Sequence, residues 1–341
     1  MKKIILIIVV IIAILGIGAY YHKGNKTVSF DKQENEGGIQ EKLHPLSIEY
    51  MKKQTYEGSD IVIEQTLSDG SNYKRYVVSY RSDGLKIYAL LTVPSGAKPA
   101  TGWPVIIFNH GYIPPAAYRT TERYVAYMDA FSRNGYIVFK SDYRGHGNSE
   151  GNPEGAYYSP AYTIDILNAV SSIKRYREAD REKIGMWGHS MGGSITLRSM
   201  VVSQDIKVGV IWAGVVGSYE DMLKNWRRSR PWMPSQREQV FRRPGRQELI
   251  EKYGDTDKNP DFWQSISPIY HVEGISGQVQ IHHGLEDEQV PVLFSEKLHE
   301  ALKNAGKTGE LYTYPGDDHN ISANLNTALQ RSVEFFDKYL K

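Results

Sequence analysis

Apolar and polar residues along the chain change rhythm several times, and each change predicts a different element. From Ile4 to Tyr21 the run IILIIVVIIAILGIGAYY is apolar or aromatic throughout, with Lys2 and Lys3 ahead of it and His22, Lys23 and Lys26 behind. As a helix it would reach about 27 Å at 1.5 Å per residue, against a hydrocarbon layer of roughly 30 Å. It has no polar face that would suit a helix lying on a core, and Gly16, Gly18 and Ala19 make a poor cleavage pattern. Residues 1–23 are therefore expected to be a signal-anchor or transmembrane helix, with the bulk of the chain outside the cytoplasm, or secreted if the segment is cleaved. Residues 24–46 are polar, contain Gly37-Gly38 and read as a tether. Residues 47–341 form the remaining domain.

Within that domain, β-rich stretches at 60–67, 73–80 and 85–93 are separated by Ser-Asp-Gly turns, which predicts an antiparallel entry to a sheet. After Pro104, short apolar strands alternate with helical periods. Strands are expected at 105–109, 136–141, 183–187, 208–213, 279–283 and 310–314, and helices at 119–133, 161–179, 191–203, 293–304 and 323–339. This repetition argues an α/β fold with a mostly parallel sheet covered by helices on both faces. The stretch 218–267, rich in Arg, Trp and Pro, interrupts the rhythm between two strands and reads as an inserted lid or cap.

Composition narrows the chemistry more than the fold. Of 341 residues, 40% are hydrophobic and 23% charged, a globular balance, and 41 basic against 39 acidic side chains give no electrostatic case for a nucleic-acid partner. The absence of cysteine excludes disulfides, thiolate metal sites and cysteine nucleophiles. His110, His146 and His189 show no ligand spacing of a known type, and neither metal nor cofactor is expected.

The sharpest local signal is Gly188-His189-Ser190-Met191-Gly192-Gly193, directly after the apolar strand KIGMW and before a helical pattern. A serine on a strained strand-to-helix turn needs small neighbours, and its hydroxyl then projects above the sheet. That hydroxyl becomes a nucleophile only with a base to take its proton and a third group to orient the base. In such a fold the acid and then the histidine follow the serine along the chain. Asp287, in His283-Gly284-Leu285-Glu286-Asp287-Glu288, is the candidate acid, with Glu286 and Glu288 as alternatives. His319, in Tyr314-Pro315-Gly316-Asp317-Asp318-His319, is the candidate base. His189 reads as a support for the turn. An oxyanion would need two backbone N–H groups, assigned here to Met191 and to Tyr112, with Gly111 as the alternative to Tyr112.

Taken together, SDGLKIYALLTVP, FNHGY, GYIVFKSDYRGHGNSEG, GHSMGG, HGLEDEQVP and YPGDDHN resemble the α/β-hydrolase superfamily, in particular its prolyl-oligopeptidase and dienelactone-hydrolase-like group. The resemblance spans about residues 75–340 and implies an α/β-hydrolase fold with Ser190, Asp287 and His319 as nucleophile, acid and base. It implies a small-molecule ester or a short peptide as substrate. Oligopeptidases of the group usually carry a β-propeller in front, for which this chain has too few residues. A carboxylesterase-type activity on ester, thioester or amide bonds is expected first, a peptidase next, and a catalytically idle binding module as the reading of another class. The likeness also places Arg144 beside the site, either bracing a loop or held in a structural ion pair. Lys224, Arg227, Arg228, Arg230, Arg237, Arg242, Arg243 and Arg246 face only Glu238 over their span. Beside a membrane tether this run, with Trp226 and Trp232, is a candidate contact for anionic lipid or an acidic substrate; otherwise it is a solvated face.

Overall fold

Strand β4 (Trp103–Asn109) shows how this sequence builds a sheet with two buried faces. Successive side chains of a strand point to opposite sides. Val105 and Ile107 enter one apolar cluster and Ile106 and Phe108 the other, all fully buried. A strand covered on both sides needs no polar alternation, which is why VIIF is continuous.

The computed structural model describes residues 43–226 and 236–341, with the backbone alone over 236–244. The elements run α1 (Ile48–Lys52), β1 (Val62–Leu67), β2 (Tyr73–Ser82), β3 (Leu85–Pro94), β4, α2 (Val125–Arg133), β5 (Ile137–Ser141), α3 (Ala161–Ile173), β6 (Ala179–His189), α4 (Met191–Val202) and β7 (Ile206–Trp212). They continue with α5 (Tyr219–Lys224), α6 (Gln236–Tyr253), α7 (Pro260–Ser265), a 3-10 turn at Pro268–Gly274, β8 (Gln278–Gly284), α8 (Val292–Asn304), β9 (Gly309–Tyr314) and α9 (Leu325–Leu340). The segment 1–23 and most of the proposed tether lie outside the described residues. Among the described residues, no helix is long and apolar enough to cross a membrane.

The strands form one sheet in the order β1-β2-β3-β5-β4-β6-β7-β8-β9. Strands β1 to β3 form an antiparallel meander, and β3 joins β5 antiparallel. Every neighbouring pair from β5 to β9 is parallel, so β4, β6, β8 and β9 all end at the same edge. Helices α3, α4 and α8 pack on one face, through side chains such as Ile166, Ile195 and Phe294. Helices α2 and α9 cover the other through Phe131, Val333 and Phe336.

Three regions depart from the expected organisation in ways that shape the fold. Helix α2 starts at Val125, because Arg123 and Tyr124 take left-handed backbone angles, φ 58° and 54°. Helix α3 stops at Ile173, since the Trp103 N–H bonds the Glu178 carbonyl at 2.7 Å and draws the chain into β6. The end of the supposed tether is packed: Leu46 is fully buried with Tyr219, Leu249, Trp263 and Ile266. Arg198 of α4 holds this region, donating to the Leu46 carbonyl at 2.8 Å and to the Ile266 carbonyl at 2.7 Å. The segment 218–267 is thus largely helical where described, with part of its apolar surface buried on the domain.

Candidate active site

The turn between β6 and α4 places Ser190 at φ 55°, ψ −118°, a region that residues with a Cβ seldom occupy. Close packing on both sides enforces it. A Cβ on Gly188 would fall 2.3 Å from the Gly192 carbonyl oxygen, and one on Gly192 would fall 1.9 Å from that of Asn109. No side chain larger than hydrogen fits at either position. Ser190 is half-buried and lines a cavity of about 210 Å³ with His319, Tyr112, Tyr157, Trp226 and Gln289. A neighbouring cavity of about 350 Å³ shares Tyr112, Tyr124 and Asn320 with it.

The loops after β8 and β9 bring the candidate acid to the candidate base. His319 Nδ1 lies 2.7 Å from Asp287 Oδ2, and both side chains are buried. The other carboxylate oxygen accepts the Gln289 and Val290 N–H groups at 2.7 and 3.0 Å. Backbone bonds from Leu285 to the Tyr314 carbonyl and from Glu286 to the Asp317 carbonyl tie the two loops together. Glu286 and Glu288 are exposed, so of the three acids in this loop Asp287 is the one paired with His319.

Burial alone would raise the Asp287 carboxyl. Hydrogen bonds from His283 and His319, reinforced by the Val290 N–H, outweigh it and hold the group below the usual carboxylate range. His283 is a second partner of Asp287 that the sequence did not single out. Its Nε2 lies 3.1 Å from Asp287 Oδ2 and 3.0 Å from the Val290 carbonyl, while Ser295 Oγ meets Nδ1 at 2.7 Å. Position four residues before the acid was the one available signal, and without the fold it does not distinguish a clamp from a strand end.

Met191 opens α4, so its N–H is among the helix donors that have no intrahelical acceptor. Tyr112 lines the Ser190 cavity. Gly111, the alternative donor, is committed elsewhere, since its N–H donates to Tyr124 Oη at 2.9 Å. His189 does not face Asp287: its Nδ1 meets Tyr124 Oη at 2.8 Å and its Nε2 the His319 carbonyl at 2.9 Å. Tyr124 belongs to no motif, and nothing local in the chain marked it.

Arg144 forms the structural ion pair. Its guanidinium meets the fully buried Asp165 at 2.7 Å and Asp83 at 3.0 Å. Lys224 of the basic run is paired with Asp257 and Glu220 at 2.6 and 3.0 Å, so it is not an unmatched charge. Arg227, Arg228, Arg230 and Trp232 lie outside the described residues, as do the side chains of Arg237, Arg242 and Arg243. Among the described residues, no group of three or more His, Asp or Glu is arranged to hold a metal ion.

Comparison with known proteins bears on the family and the fold. The pattern of the Prolyl oligopeptidase family matches residues 123–341. The chain is 24% identical over 268 residues to "Uncharacterized peptidase YtmA" of Bacillus subtilis, covering 78% of this chain and 94% of the relative. Among solved structures, the acylaminoacyl peptidase of Pyrococcus horikoshii is similar with a TM-score of 0.62 and 22% identity. That match covers 80% of this chain but only 42% of the peptidase. The acetyl xylan esterase of Paenibacillus sp. R4 gives a TM-score of 0.63 at 16% identity, over 86% of this chain and 92% of the esterase.

Proposed function

The chain belongs to the prolyl oligopeptidase family, whose members are serine hydrolases, and from that premise we propose that it cleaves carboxylic esters through an acyl-enzyme on Ser190. One observation carries the reading: an imidazole bonded to a buried carboxylate shares a cavity with a serine on a strained turn. His319 takes the hydroxyl proton as Ser190 attacks the carbonyl. Asp287 keeps that proton's destination on Nε2 and stabilises the imidazolium that forms. The N–H groups of Met191 and Tyr112 receive the oxyanion. Collapse expels the alcohol with the proton from His319, and a water activated by the same imidazole releases the acid.

Two points favour an ester. Among the described residues lining the Ser190 cavity there is no Asp or Glu, so no carboxylate there would hold the ammonium group of a peptide N-terminus. The acetyl xylan esterase is matched nearly end to end, whereas the acylaminoacyl peptidase extends far beyond the match. The second reading, a peptidase for short peptides, rests on the near full-length match to YtmA. Short-chain p-nitrophenyl esters and aminoacyl-p-nitroanilides separate the two: higher kcat/KM on the esters is expected, and a preference for the anilides reverses the order. Fluorophosphonate labelling of Ser190 is expected in the folded protein, and a folded chain that resists it would favour a binding module. We also assign residues 1–23 to membrane retention with the catalytic domain outside the cytoplasm. Recovery of a soluble form beginning near Tyr20 would overturn that assignment.

A further inference from the structure

Three loops meet around Ser190, and a phenol followed by an imidazole links them in a chain of bonds. The Gly111 N–H, from the loop after β4, donates to Tyr124 Oη. Tyr124 Oη lies 2.8 Å from Nδ1 of His189, the residue before the nucleophile. His189 Nε2 lies 2.9 Å from the carbonyl oxygen of His319. Donor and acceptor roles follow from both ends, because a backbone N–H only donates and a carbonyl only accepts. The His319 carbonyl therefore requires the proton on His189 Nε2, which leaves Nδ1 of a neutral ring as an acceptor. Tyr124 gives its single proton to that nitrogen and receives the Gly111 N–H on a lone pair. One arrangement satisfies all four groups.

The surroundings hold this arrangement in place. Burial and the neighbouring His319 push the His189 pKa down to about 3, so the ring stays neutral near pH 7. The Tyr124 ring is packed against Phe108, Tyr127 and Trp187. Its left-handed backbone, following that of Arg123, is an unfavourable conformation for a residue with a Cβ. The approach to Gly111 is equally tight: a Cβ there would fall 2.6 Å from Tyr124 Oη and 3.3 Å from Ser190 Cβ.

We infer that Tyr124 and His189 are positioning residues that hold the oxyanion loop and the general base in register about Ser190. The inference rests on the serine-hydrolase reading. With the Gly111 N–H engaged by Tyr124, the loop's donor to the oxyanion is Tyr112. The backbone of His319, and with it the imidazole that serves Ser190, is anchored by the residue beside the nucleophile.

Three variants of the full chain test this. Tyr124→Phe keeps the packing and removes the hydroxyl. His189→Asn keeps an acceptor near the place of Nδ1 and loses the donor to His319. His189→Gln keeps a donor near the place of Nε2 and loses the acceptor for Tyr124. Tyr124→Phe and His189→Asn are expected to lower kcat about ten- to hundredfold with little change in KM, as a misplacement of order an ångström does. Fluorophosphonate labelling of Ser190 should slow in parallel. His189→Gln, which frees Tyr124 but keeps the donor to the His319 carbonyl, should also lower kcat, though less than His189→Asn does. Unchanged kcat in Tyr124→Phe, or unchanged kcat in both His189 variants, would overturn the inference.

The 15N shifts of the His189 ring give a readout independent of turnover and of variant folding. The unmodified protein should show the Nε2–H tautomer, and an Nδ1–H tautomer would overturn the chain of bonds directly. A protein with the expected tautomer that hydrolyses nothing would remove the hydrolase reading, and with it the catalytic meaning of the chain of bonds, while leaving those bonds intact.

Discussion

Asp287 and Asp142 are both buried carboxylates on loops leaving the carboxyl ends of parallel strands, β8 and β5, yet their surroundings send them in opposite directions. Asp287 receives two imidazoles and two backbone N–H groups, and is held below the usual carboxylate range. Asp142 receives two neutral hydroxyls, Tyr118 Oη at 2.8 Å and Thr120 Oγ1 at 2.5 Å. Lys140 is near it but donates instead to the Glu122 carbonyl at 2.9 Å. Burial pushes Asp142 up to about 7, against the pull of Thr120, Tyr118 and Lys140. Burial at a sheet edge does not by itself make a carboxylate an orienting acid. The number and charge of its donors decide whether it stays ionised.

The largest expected effect separates the two loops by activity. Asp287→Asn should lower kcat by about 10⁴-fold by freeing the wrong tautomer of His319. Asp142→Asn, which replaces a carboxyl that already retains a proton easily, should cost less than about tenfold. Equal losses would break the comparison.

Denaturant unfolding as a function of pH should sharpen it, because the two groups have opposite linkage. Asp142 has a raised pKa in the fold, so the native state binds more protons than the unfolded chain between about pH 4 and 7. Relative to Asp142→Asn, the parent should lose on the order of 1–3 kcal/mol across that window as pH rises. Asp287 is depressed, so its contribution is present above about pH 4 and is lost as pH falls below that. A parallel pH response of Asp142→Asn and Asp287→Asn, each measured against the parent, would contradict this.

Smaller effects probe single donors. His283→Ala removes a hydrogen bond to the ionised Asp287 and should destabilise the fold by about 2 kcal/mol in the same assay. Tyr118→Phe removes a neutral donor from Asp142 and should cost only about 1 kcal/mol. If Tyr118→Phe proves the costlier change, Asp142 is ionised in the fold and the contrast fails.

Much of the fold was legible because periodicity is a local property. The strands at 105–109 and 279–283, and the helix beginning at Met191, lie within a residue or two of the observed elements. The turn at Ser190 was legible for a related reason, since Gly188 and Gly192 record a steric demand within five residues of chain. The start of α2 was not. Arg123 and Tyr124 take left-handed angles and the Tyr124 hydroxyl meets Gly111 and His189 from elsewhere in the chain, and the helical pattern of 119–133 carries no trace of either.

Reading the chain alone was enough for a two-faced α/β sheet and for bringing Ser190, Asp287 and His319 forward as candidates, because hydrophobic alternation, glycine sterics and loop chemistry act between near neighbours. Only the tertiary structure assigned Asp287 two imidazole partners, committed the Gly111 N–H to Tyr124, and packed Leu46 beneath Trp263. Apart from the His283–Asp287 pair, four residues apart, those outcomes depend on groups from 13 to more than 100 positions apart coming together, as between Gly111 and Tyr124 or Arg198 and Leu46. A hydrogen bond discriminates within a few tenths of an ångström, and that precision comes from the packed sheet and its loops, not from any local run of residues.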